Sequence, residues 1–167
     1  FGTEKLNCLG GLKLSDVPVD DQLASLKENL AYAADRTQQA GVKLVIEPIN
    51  PYDMHGFLLN KPSMGFDIVR EVNHPNLKVQ YDVYPAQRTE GNIVYTIKQE
   101  FNQIGHVQIA DSPHRNEPGT GELNYPYILN ALDEVGYDGW VGLEYRPANG
   151  TEYSLRWLKD FGYWPGK

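Results

Sequence analysis

Four polar residues stand where apolar, strand-forming runs come to an end. They are Glu47 in K-L-V-I-E-P, Asp82 in K-V-Q-Y-D-V-Y, Gln108 in G-H-V-Q-I-A-D and Glu144 in G-W-V-G-L-E-Y. Three carboxylates and an amide oxygen are hard oxygen donors. Gathered in one place they suit a single Mg²⁺ or Mn²⁺ ion better than Zn²⁺, whose sites draw on His or Cys. Such a gathering also needs a cation, because carboxylates brought together raise one another's pKa and cannot all stay ionised unaided. Any one of these acids, taken alone, reads equally well as a helix cap or a solvent-facing strand end. The signal is the series.

Strand alternation sorts the neighbours of these residues into two faces. Glu47 shares its face with Val45 and Lys43, Asp82 with Gln80 and Lys78, Gln108 with His106 and Ala110, and Glu144 with Gly142 and Trp140. Leu44 and Ile46, Val79 and Tyr81, Val107 and Ile109, and Val141 and Leu143 fall on the other face, suited to packing under helices. An open doubly wound sheet buries both faces and would be apolar on both. A polar set that always takes the same face points to the shared interior of a barrel, with ligands at the carboxyl ends of its strands.

Strand signals cover residues 5–9, 43–47, 77–83, 105–110 and 139–144. Helical periodicity fills the gaps. One helix runs from Asp20 or Asp21 to Gln39, with Gly41 as its stop, and a second opens at Pro62 with Phe66, Val69 and Val72 at helical spacing. Further helices are expected over 92–103, 125–134 and 151–160. This is an unbroken β-α alternation in the α/β class: a parallel (β/α) TIM-barrel type, incomplete at about five of eight units. Residues 1–167 read as a single domain.

Composition narrows the function classes. A formal charge of −7 argues against a nucleic-acid surface, which needs clustered Lys and Arg. No apolar run approaches the ~20 residues of a membrane span, and the first residues lack a signal-peptide core. One cysteine, Cys8, permits no internal disulfide and reads as a small buried strand residue, consistent with a reducing, cytoplasmic setting. The G-T-G at 119–121 reads as a tight turn rather than a phosphate nest. His55, His74 and His114 read as surface residues, and His106 faces the interior. The aromatic tail F-G-Y-W-P-G-K is expected to cover core or an interface.

The segments I-E-P-I-N, Q-Y-D-V-Y, G-H-V-Q-I-A-D, S-P-H-R-N-E-P-G-T-G-E-L-N-Y and G-W-V-G-L-E-Y resemble the hydroxypyruvate isomerase family. That family belongs to the xylose isomerase-like TIM barrels, beside 2-oxo-tetronate isomerases and ketose 3-epimerases. The resemblance covers essentially the whole chain and matches the family's last five strands. It implies a divalent ion held by Glu47, Asp82, Gln108 and Glu144, with Glu47 and Glu144 also moving the proton between hydroxypyruvate and tartronate semialdehyde. It implies that Arg115 and Asp53 lie beside a small hydroxy-oxo acid or sugar-like substrate. Gln108 stands where the epimerases usually carry His, which leans the resemblance toward hydroxypyruvate isomerase. Pro85 stands where many relatives carry His, which removes a candidate donor to substrate. A 2-oxo-tetronate isomerase or ketose 3-epimerase is the alternative within the architecture. The alternative of another class is an inactive module that self-associates through exposed sheet edges, with homo-oligomers as its signature.

Overall fold

The computed structural model describes residues 2–164. Five strands, β1 (Lys5–Cys8), β2 (Lys43–Ile46), β3 (Leu77–Asp82), β4 (Ile104–Ile109) and β5 (Val141–Leu143), form one sheet. Every pairing is parallel and the strands lie in the order of the chain. A doubly wound sheet reverses its strand order at a switch point, whereas sequential parallel pairing is the order of a β/α barrel. The molecule is therefore a five-stranded half-barrel with helices on its outer face.

Helices α1 (Val19–Gln39) and α2 (Pro62–Val72) follow β1 and β2. Leu30 and Ala34 of α1 and Phe66 and Val69 of α2 pack with Leu44, Ile46, Val79 and Tyr81 in the main core. Each fully buried Leu, Ile or Phe side chain there contributes roughly 1.5–3 kcal/mol. Val45 is equally buried yet lies outside that cluster, because it faces inward, as its alternation with Glu47 requires. Gly65 lets α2 close on the strand end beyond it. A Cβ there would stand 2.9 Å from Pro48 Cγ, so α2 presses against the residue that turns the chain beyond Glu47.

Helices fill every gap between strands, as expected, but the gap after β3 holds two. The chain enters α3 (Val83–Thr89) directly, then α4 (Ile93–Glu100), and closes with a 3₁₀ turn at Phe101–Gln103 instead of one helix over 92–103. Asp82 caps α3 by accepting the Tyr84 N–H, and Pro85 falls in the first turn, where a missing N–H costs no intrahelical bond. Gly91 and Asn92, at φ 62° and 53°, break the path between α3 and α4. Helix α5 (Tyr125–Glu134) has the expected bounds, and the expected last helix is two short ones, α6 (Thr151–Ser154) and α7 (Trp157–Asp160). In the aromatic tail, Phe161 packs on Trp157, Tyr163 and Trp164 are exposed, and 165–167 lie outside the described residues. Among the described residues no helix is long and apolar enough to cross a membrane.

Strand β4 begins one residue earlier than expected and carries a bulge. Ile104 pairs with Val79, but His106, not Gly105, pairs with Gln80. Gly105 is the extra residue, and a Cβ on it would meet Lys78 Cβ at 2.6 Å and Val45 Cγ1 at 2.9 Å. Beyond the bulge Gln108 stands opposite Asp82.

Candidate metal centre and active site

Glu47 follows β2 and is buried, at 7% exposure. Its Oε2 accepts hydrogen bonds from Asn7 Nδ2 at 2.6 Å and Gln80 Nε2 at 2.8 Å. The same Gln80 amide donates to Gln108 Oε1, tying the amide of β4 to the carboxylate of β2. Gln108 has room to lie there because its neighbour on β5 is Gly142, where a Cβ would come within 3.1 Å of Gln108 Cγ.

Asp82 ends β3 at 4% exposure. Its Oδ1 accepts the Tyr84 N–H at 3.1 Å and its Oδ2 faces Arg115 at 3.4 Å. Glu144 follows β5, anchored by its N–H to the Ile109 carbonyl at 3.1 Å, and its side chain is partly open to solvent. One oxygen each from Glu47, Asp82 and Glu144 lie within 4.8 Å of one another. The strand-end acids thus converge, and Gln108 joins them through Gln80.

The loop after β4 is built around Asp111. Its carboxylate accepts four backbone N–H groups: Ser112 at 2.9 Å, Gly119 at 2.8 Å, Gly121 at 2.9 Å and Leu123 at 3.1 Å. The G-T-G turn is therefore a nest already filled by the chain's own carboxylate. Gly121 is required here, because a Cβ would stand 2.0 Å from the Ser112 carbonyl oxygen.

That loop carries Arg115 in the left-handed region, at φ 57°. Its N–H donates to the Asp111 carbonyl at 2.9 Å, and its own carbonyl accepts the Arg146 N–H at 2.7 Å. The guanidinium lies over the Tyr84 ring at 5.1 Å and reaches Glu144 at 3.0 Å, Asp82 at 3.4 Å and Asp53 at 3.6 Å. Asp53 is set by fully buried Asn50, which donates to its carboxylate at 3.1 Å and accepts its N–H at 3.0 Å.

Burial, then the Glu144 charge, hold the Asp82 carboxyl well above its ordinary 3.8, against the pull of Arg115. Burial also raises Glu47 above its ordinary 4.5, with Asn7 opposing and Glu144 reinforcing. Burial works against the Arg115 charge, yet Asp82, Glu144 and Asp53 together outweigh it and raise its pKa. Buried acids held uncomfortable as anions are relieved by a cation, and the donors offered are all oxygen. The cluster can hold a metal ion. His106 faces the same interior, and burial first, with Lys5 second, lowers its pKa. Among the described residues its Nδ1 has no hydrogen-bond partner.

The sequence reading missed Asn7, Asn50, Gln80 and Tyr84 as parts of this site and gave Asp111 no role. Gln80 was legible from its phase with Asp82. Asp111 could have been read from the glycines eight and ten residues on. Asn7, Asn50 and Tyr84 gave no comparable signal.

The family model for the xylose isomerase-like TIM barrel matches residues 1–161. The chain is 45% identical to a 2-oxo-tetronate isomerase of Cupriavidus necator and 44% identical to a hydroxypyruvate isomerase of Escherichia coli. Each match covers 96% of this chain and 62% of the relative. A crystal structure from Brucella melitensis described as an AP endonuclease, family 2, superimposes with a TM-score of 0.90 at 37% identity, over 94% of this chain and 60% of that one. The chain spans about three-fifths of the length of these relatives. With its sequential parallel strands and its acids at their carboxyl ends, the chain belongs to the xylose isomerase-like TIM barrel family.

Proposed function

We propose that this protein isomerises a small hydroxy-oxo acid, with hydroxypyruvate and tartronate semialdehyde as the first pair to test. The observation that carries the reading is the convergence of Glu47, Asp82 and Glu144 beside Arg115 in a chain so similar to named isomerases. Glu47, Asp82, Gln108 and Glu144 would hold one Mg²⁺ or Mn²⁺ ion. When bound, that ion supplies Lewis-acid stabilisation of the charge that develops on the substrate oxygens.

The reaction moves a proton from the hydroxymethyl carbon of hydroxypyruvate to the adjacent carbonyl carbon and transfers one between the two oxygens, so no redox partner is needed. Glu144 and Glu47 approach the cluster from β5 and β2 and serve as the base and acid of the carbon proton transfers. Arg115 offers a fork for the substrate carboxylate, and Asp53 orients that fork.

Glu144→Gln keeps the side chain's shape and removes its basicity. We expect it to fold and to lose about 10²-fold or more of turnover in a Mn²⁺-supplemented isomerase assay. Near-normal turnover would remove Glu144 from the chemistry. The 2-oxo-tetronate reading deserves the same assay, because the Cupriavidus necator relative is as similar as the Escherichia coli one.

A further inference from the structure

Arg115 stands on the ground that a divalent ion would need. Its Nη2 bridges two of the three clustered carboxylates, at 3.0 Å from Glu144 Oε2 and 3.4 Å from Asp82 Oδ2. This placement is built in from the backbone. The left-handed conformation at Arg115 is fixed by hydrogen bonds at both its N–H and its carbonyl, and those bonds aim the side chain into the cluster.

The guanidinium also has a second set of partners on its outer side. Tyr84 lies beneath it at 5.1 Å, and Asp53, held by Asn50, stands 3.6 Å from Nη1. A short outward movement would exchange Glu144 and Asp82 for Asp53 and the ring face. A divalent ion that took Glu144 Oε2 and Asp82 Oδ2 as ligands would meet the guanidinium at close range, and that like-charge repulsion is felt more strongly in a half-buried setting than in water.

We propose that Arg115 and a divalent cation compete for the carboxylates of Asp82 and Glu144, so that ion loading pushes the guanidinium outward onto Tyr84 and Asp53. This rests on the ion site proposed above. It gives the site an order of assembly. With the ion absent, Arg115 neutralises the acids and is itself occupied; with the ion in place, the fork is released toward an incoming carboxylate.

The test is Mn²⁺ titration by calorimetry on the parent protein, Arg115→Ala, Arg115→Gln and Arg88→Ala. Arg88 is the control because its guanidinium lies over Tyr52 at 4.9 Å and Tyr84 at 5.8 Å and donates to the Tyr84 hydroxyl and Pro113 carbonyl, with no carboxylate partner among the described residues. Both Arg115 variants are expected to bind Mn²⁺ about tenfold tighter or more, while Arg88→Ala stays within about twofold of the parent. Mn²⁺ should also raise the melting temperature of the Arg115 variants by more than it raises the parent's. Equal tightening in Arg88→Ala would reduce the effect to diffuse charge and overturn the proposal. So would Arg115 variants that bind no better than a parent that does bind, an outcome that leaves the ion site standing. No binding in the parent or in any variant removes both.

Discussion

Asp82 and Tyr84 are joined by a 3.1 Å hydrogen bond from the Tyr84 backbone N–H to Asp82 Oδ1, so a carboxylate of the site is also the N-cap of a helix. The cap uses Oδ1, whereas Oδ2 faces Arg115, so the capping oxygen and the charge can be separated by substitution. Asn keeps a capping oxygen and loses the charge, whereas Ala loses both. Asp82→Asn should leave the metal-free protein as stable as the parent or more so, because a buried, reluctant anion is removed. Asp82→Ala should be less stable than Asp82→Asn by about 1 kcal/mol from the lost cap. Urea denaturation of the three proteins in chelator makes the comparison, and equal stability of the two variants would deny the cap its role.

The same buried acids give the metal-free protein a pH dependence with a definite sign. Asp82 and Glu47 have folded pKa values above their ordinary 3.8 and 4.5, so across that window the folded state holds more protons than the unfolded one. Stability from these groups is therefore present at low pH and lost as pH rises through the raised values. Denaturation in chelator, stepped upward in pH from the ordinary carboxylate range, should show this contribution as a difference, stability falling as these groups ionise, set against the opposite contribution of His106. The difference should shrink in a Glu47→Gln, Asp82→Asn double variant and on addition of Mn²⁺. A parent and double variant with the same pH slope would contradict the assignment.

Asp111 is expected to be among the residues least tolerant of change outside the core. Asp111→Asn would turn one acceptor oxygen into a donor facing the N–H groups of Gly119 and Gly121, or of Ser112 and Leu123. An N–H left without a partner costs about 1–3 kcal/mol where it is buried, as at Ser112, and less at exposed Gly119 and Gly121, so a loss of about 1–3 kcal/mol is the expected scale. Gly121→Ala should damage the same loop from the other side. Hydrogen exchange confined to 112–123 is the informative readout, and slow exchange in Asp111→Asn would show the loop has other support.

Gln80 holds two of the ion's expected ligands, Glu47 and Gln108, by direct hydrogen bonds from one amide nitrogen. Gln80→Leu keeps the bulk and removes the tether. Ion affinity should fall about 10–100-fold, the usual effect of losing a residue that orients metal ligands, while stability changes little. Unchanged Mn²⁺ affinity would make Gln80 a bystander.

Much of this was legible in the chain. The inward phase of Glu47, Asp82, Gln108 and Glu144 follows from period-two alternation, and the sequential parallel sheet agrees with it. Helix α3 was not anticipated, because the helix after β3 is expected only over 92–103 and Asp82, in series with the other acids, reads as a metal ligand rather than as a cap. The Arg115 contacts depend on a left-handed backbone residue inside an irregular loop, which no periodicity announces. Asn7, forty residues from Glu47, meets it only because β1 and β2 pair in the register that sets Asn7 beside Val45.

Gly105 sets the reading frame of β4. If Gly105 took a place in the ladder, pairing carried on from Val79 and Ile104 would bring Val107 opposite Asp82 and turn Gln108 and His106 into the helix-facing core. The bulge thus decides which of two sets faces the acids, an apolar one or a polar one. Deleting Gly105 would remove the bulge yet leave His106 opposite Gln80 and Gln108 opposite Asp82, so the frame survives the loss of that residue but not its realignment.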